Sequence, residues 1–107
     1  MKRCVVGIRR PEDRTYPAAG RSQPSVWFPS MATMAAVLSE DNRALLRLIR
    51  ERRPKSLTAL SALTGRRVPN LSRSLRTMEG YGLVKLEREG HGVAPVALAT
   101  EFLVVLP

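Results

Sequence analysis

A small, mostly helical α+β domain is the fold class predicted by this sequence, and three observations carry it. The stretches 39–53 and 68–79 hold apolar residues at three- and four-residue spacing, the pattern of amphipathic helices. Gly65 separates the second stretch from a short leucine-rich segment that opens on Ser56, a helix–glycine–helix order. β-Branched runs broken by glycine follow, as in a strand hairpin. The 107 residues suffice for one core, and the five aromatics (one Trp, two Tyr, two Phe) predict that it is aliphatic.

Taken in order, RCVVGI (3–8) reads as a short strand and RRPEDRTYPAAGRSQPS (9–25) as an irregular connection. VWF (26–28) is a second short strand closed by Pro29, its Trp27 and Phe28 placed to cover the core or to meet a second subunit. Ser30 then caps a short helix, MATMAAVL. Ser39 caps the next one, with Glu40 and Asp41 complementing its positive end. In EDNRALLRLIRERR the inner stripe is Ala44, Leu45, Leu48 and Ile49. Arg43, Arg47 and Arg50 lie off it, and Pro54 ends the helix. Arg52, Arg53 and Lys55 are favourable charges at that helix end and within reach of a nucleic-acid backbone. SLTALSALTG (56–65) is a third helix with Leu57, Leu60 and Leu63 inside and Gly65 as its stop.

The next segment, GRRVPNLSRSLRTMEGYG, holds a proline among arginines. Inside a helix Pro69 would cost about 3 kcal/mol, whereas in the first turn its missing N–H has no helical partner to lose. Val68, Leu71, Leu75 and Met78 are spaced 3, 4 and 3, so one apolar face runs through the proline. Pro69 therefore begins a helix over 68–79. At about 100° per residue, Arg73, Arg76 and Thr77 point away from the apolar face, with Asn70 at its flank.

The tail has strand runs at Leu83–Arg88 and Phe102–Leu106, a turn at Glu89–Gly92, and an edge strand or bend where Pro95 interrupts VAPVALAT. FLVVLP and RCVVGI each leave edge hydrogen bonds unpaired, so they pair either within one chain or across a dimer. Helix, helix-turn-helix, hairpin is the order of a winged helix-turn-helix: a three-helix core plus a β-hairpin wing, here with short N-terminal and C-terminal strands. The division expected is an N-terminal arm over 1–36 and a DNA-binding domain over 37–107.

Charge points the same way. Eighteen Lys+Arg against nine Asp+Glu leave +9, which calls for an anionic partner. Arginine, asparagine, serine and threonine on one helix face can pair with base edges or hold phosphates. The single cysteine, Cys4, cannot close an internal disulfide and suits a reducing compartment. The basic N-terminus has an apolar run too short for a secretory signal, and no stretch approaches a membrane span. A cytoplasmic protein that does not contact membranes is expected. His91, the only histidine, sits far from Cys4, so no metal or Cys/His pair is indicated. No dinucleotide or P-loop fingerprint and no catalytic constellation occurs, so neither cofactor nor enzyme activity is expected.

The motifs VWF-x-S, LSEDNRALLRLI, SLTALSALTG, NLSRSLRTMEGYGLVKLE and PVALATEF, spanning about residues 24 to 104, resemble the small stand-alone winged-helix predicted transcriptional regulators of bacteria and archaea, related to MarR-type repressors. The N-terminal RRPEDRTYPAAGRSQ departs from that pattern in its proline and glycine content. The resemblance implies a recognition helix over Val68–Glu79 with Asn70, Ser72, Arg73 and Arg76 toward DNA. It also implies homodimers on double-stranded DNA, and antitoxin-like autoregulation in some relatives. The expectation is thus a sequence-specific regulator, a dimeric repressor or autoregulator. Asn70, Arg73, Arg76 and Thr77 face bases, Arg66, Arg67, Ser72 and Lys85 hold phosphates, and Arg88 and His91 assist from the wing. The competing expectation is an antitoxin-like subunit that neutralises a toxin-like protein through 3–28 and FLVVL.

Overall fold

The computed structural model describes residues 3–8 and 24–106. Most of the expected N-terminal connection, residues 9–23, lies outside them. The described residues form an α+β fold in the order β1 (Cys4–Ile8), β2 (Val26–Phe28), α1 (Met31–Val37), α2 (Glu40–Arg52), α3 (Leu57–Thr64), α4 (Val68–Gly80), β3 (Val84–Glu89), β4 (Gly92–Ala97) and β5 (Phe102–Val105).

Serine hydroxyls start three of the helices. Ser30 Oγ accepts from the Thr33 N–H at 3.1 Å, Ser39 Oγ from Asn42 at 3.1 Å, and Ser56 Oγ from Ala59 at 3.0 Å. Each satisfies a first-turn donor that has no partner within the helix. α2 is closed by its C-cap Arg53, which precedes Pro54 and takes a left-handed φ of 46°. Among the described residues no helix is long and apolar enough to cross a membrane.

The strands form two sheets. β1 lies between β2 and β5, parallel to both, and β3 pairs antiparallel with β4. The sequence left open whether FLVVL joins RCVVGI within a chain; it does, with Cys4 opposite Phe102 and Val6 opposite Val104. Val6 and Phe28 belong to the same core as Leu46, Leu71 and Met78, and the Phe28 ring lies 4.5 Å from that of Tyr81. The strands assigned to an N-terminal arm are thus bonded and packed onto the helices. Near the end of β1, a methyl group on Gly7 would come within 2.8 Å of Pro24 and of the Trp27 ring. Glycine is what lets that indole lie across the strand.

Some inner faces differ from expectation. In α2 the buried residues are Leu45, Leu46 and Ile49, while Ala44 is exposed and Leu48 half-buried. The reason is tertiary: β4 packs along α2 and turns the buried stripe toward Leu46. In α3, Leu60 is buried but Leu63 is 40% exposed, and at the start of α4 Val68 is 36% exposed. The hairpin strands fall one residue later than expected for β3, at Val84–Glu89. Pro95 does not break β4. The Leu98 N–H donates to the Leu83 carbonyl, and counting on from that bond places Pro95 at a non-hydrogen-bonded position opposite Leu86. No ladder donor is lost there.

Burial raises the half-buried Cys4 thiol above its ordinary pKa, partly opposed by a hydrogen bond with Ser25. A raised pKa favours the neutral thiol in the fold. Its contribution is therefore present at neutral pH and lost as pH climbs through the folded value. Iodoacetamide at pH 8 should label Cys4 more slowly in the native protein than in denaturant, measured by mass spectrometry; equal rates would contradict this packing.

Candidate nucleic-acid interface

The α3–α4 connection is three residues long and tied down by its neighbours. Gly65 caps α3 at φ +74°, and its N–H donates to the Ser61 carbonyl at 2.8 Å. Ser61 Oγ then donates to the Arg66 carbonyl at 2.6 Å, and the Arg66 N–H donates to Thr64 Oγ1 at 3.1 Å. α4 therefore leaves α3 at a defined angle. Ser61 and Thr64 were not singled out in the sequence, because a serine or threonine near a helix end is compatible with many roles.

α4 begins at Val68 with Pro69 in its first turn, as the spacing predicts. Leu71, Leu75 and Met78 are fully buried and anchor it. The far end closes in a Schellman motif: the Leu83 N–H donates to the Met78 carbonyl at 3.0 Å and the Gly82 N–H to Glu79 at 2.9 Å. Gly82 supplies the required positive φ of +76°. Both ends of α4 are thus held, and its outer face presents Pro69, Asn70, Arg73, Arg76 and Thr77, all exposed.

Two local bonds organise that face. One Arg73 Nη donates to Asn70 Oδ1 at 2.5 Å, and Thr77 Oγ1 donates to the Arg73 carbonyl at 3.1 Å. A bidentate grip on adenine needs both the Oδ1 acceptor and the Nδ2 donor of an asparagine, so the first bond competes with it at Asn70. The same bond leaves most of the Arg73 donors available and restricts where the guanidinium points.

The remaining candidates divide between the two sides of α4. Arg67 is exposed at the N-cap and Ser72 is half-buried beside Arg76. Arg66 is turned back. Its guanidinium donates to Ser74 Oγ at 3.0 Å and lines a cleft with Asp41, Ala44 and Leu48, away from the outer face. On the hairpin side, the Glu79 carboxylate accepts from the Leu86 N–H at 3.2 Å, an outward donor at the position opposite Pro95. This bond ties the last turn of α4 to β3 and draws a carboxylate away from the arginines.

In β3, strand alternation puts Lys85 on one side with Glu87 and Glu89, and Arg88 on the other. The two basic residues of the hairpin therefore do not act from a single face. His91 is exposed in a two-residue turn, preceded by Gly90 at φ +60° as a type II′ turn requires.

A model of the HVO_A0114 family matches residues 37–104, from the last residue of α1 into β5. The match covers well over half of the chain, and the chain belongs to that family. No curated protein and no solved structure matches it.

Proposed function

For this member of the HVO_A0114 family we propose a sequence-specific DNA-binding transcriptional regulator, a homodimeric repressor or autoregulator of winged helix-turn-helix architecture and not an enzyme. In this reading α4 is the recognition helix and the β3–β4 hairpin is the wing. The observation that carries it is the outer face of α4. Two exposed arginines, an asparagine and a threonine share one side of a helix whose ends and inner face are all held. A helix entering a groove must keep its orientation while its outer side chains change partners, and this one is built to do so.

In this reading each candidate side chain has a role. Arg73, steadied by Asn70, reads guanine through O6 and N7. Arg76 and Thr77 contact neighbouring base edges. Arg67, Ser72 and Lys85 hold phosphates, while Arg66 approaches a strand from the side through donors not used by Ser74. Arg88 and His91 add backbone contacts from the hairpin. If each subunit neutralises about four phosphates, log K against log salt should fall with a slope of about −7 for the dimer. Titration of a fluorescent fragment of the protein's own promoter over a range of salt concentrations checks this. A slope near zero, or no preference over unrelated DNA, would overturn the reading.

A further inference from the structure

The β2–β1–β5 sheet ends at β5, which has no strand on its outer side among the described residues. In an extended strand the N–H and C=O of one residue point to one lateral side and those of the next to the other. The Cys4 N–H donates to the Glu101 carbonyl at 2.9 Å, so residues 101, 103 and 105 turn their backbone toward β1. Phe102, Val104 and Leu106 turn theirs outward. Their side chains also share one face of the sheet, the one that packs on the helices: Phe102 touches the core, and Val104 lines a cleft with Met34 and Leu38.

We infer that this edge joins two copies of the chain, β5 pairing antiparallel with β5 of a second copy about a two-fold axis at Val104. The inference rests on the dimeric reading above and gives it a surface. The backbone pattern limits the register to a two-fold on a residue, and the apolar side chains choose among these. Centring on Val104 sets Phe102 opposite Leu106 of the second copy, and every outward N–H meets an outward C=O reciprocally. A two-fold midway between two residues would set outward groups against inward ones and form no ladder, and centring on 103 would place Leu106 opposite Thr100 of the second copy in place of Phe102.

Side chains and charge agree with that register. Val104 is 39% exposed and Leu106 55%. Beside the edge lies a cleft of about 430 Å³ whose apolar wall is Met34, Leu38, Phe102 and Val104 and whose other wall carries Arg43, Arg47 and Glu101. The two-fold brings Leu106 of the second copy to its mouth. Edge strands are commonly defended by lysine or proline within the strand, and residues 102–106 contain neither. Two chains of +9 each repel, so a contact between them favours an uncharged strip, and β5 is one. The opposite edge, β2, is only three residues long and runs into Pro29.

The test is sedimentation equilibrium without DNA on the full chain and on Val104→Pro and Val104→Lys. Proline at 104 removes an outward N–H and no bond to β1, and lysine sets two like charges across the axis. The wild type should sediment as a dimer. Both variants should dimerise at least about 30-fold more weakly, with unchanged circular dichroism. A wild type that stays monomeric at millimolar concentration, leaving the edge to a strand of another protein, would overturn the inference, as would variants that remain dimers. Failure here is distinct from failure of DNA binding. Monomeric Val104→Lys keeps its α4 surface and should still bind a single half-site, whereas alanine at Arg73 and Arg76 should leave the dimer intact.

Discussion

Replacing Arg73 and Arg76 together by alanine is expected to abolish specific DNA binding while leaving the fold untouched. Each bidentate arginine–guanine pair is worth about 1–3 kcal/mol, so the double variant should lose roughly 2–6 kcal/mol per half-site, or about 30-fold to 10⁴-fold in half-site affinity and more for the dimer. Both side chains are exposed, and their removal should change stability by no more than about 0.5 kcal/mol. Anisotropy titrations against the promoter fragment and an unrelated duplex, with thermal melts alongside, separate the possible results. Loss confined to the promoter fragment marks base reading. Equal loss on both duplexes, with a salt slope lower by about 1 per arginine, would mark phosphate contacts instead. Unfolding would mean that α4 turns a different face to the core. Retained binding would remove α4 as the reading element.

Phe28→Ala is expected to cost about 3–5 kcal/mol, a large part of the 5–15 kcal/mol typical of a small domain. Phe28 is 1% exposed and its ring lies 4.5 Å from that of Tyr81, which directly follows α4. Alanine would open a cavity where β2 meets the end of that helix. Urea unfolding followed by circular dichroism should show one transition, shifted as a whole, because β1 and β2 share a core with α2 and α4. The melting temperature should fall by at least about 10 °C. A loss below about 1 kcal/mol, or a separate early transition, would show the N-terminal strands to be an appendage. The same packing means that truncation through residue 24 removes β1, the strand bonded to both β2 and β5, and does not yield a clean test of partner binding.

Helices were the most legible part of this chain because their signals are local. The three serine caps, the role of Pro69 and the Gly65 stop each depend on residues within one turn, and each stands where the spacing put it. Facing was less legible. Periodicity marks a stripe but not which neighbours cover it, so Leu46 was missed and Ala44 and Leu63 were placed inside. The candidate site divided in the same way. That Arg73, Arg76 and Asn70 share an outer face follows from helix geometry alone. That Arg66 bends back to Ser74, that Arg73 leans on Asn70, and that Glu79 reaches Leu86 are decided by side chains meeting across turns and elements.

From residue order alone came the α+β class, the helix starts and the outward set of α4, since each follows from backbone propensity and a period of 3.6 residues. Folding was needed to place β1 between β2 and β5 and so put β5 at the end of the sheet among the described residues. A short β-branched run carries no mark of its partner. Strand pairing is a contact between residues far apart in the chain, settled by which arrangement buries Val6, Phe28 and the helices in one core.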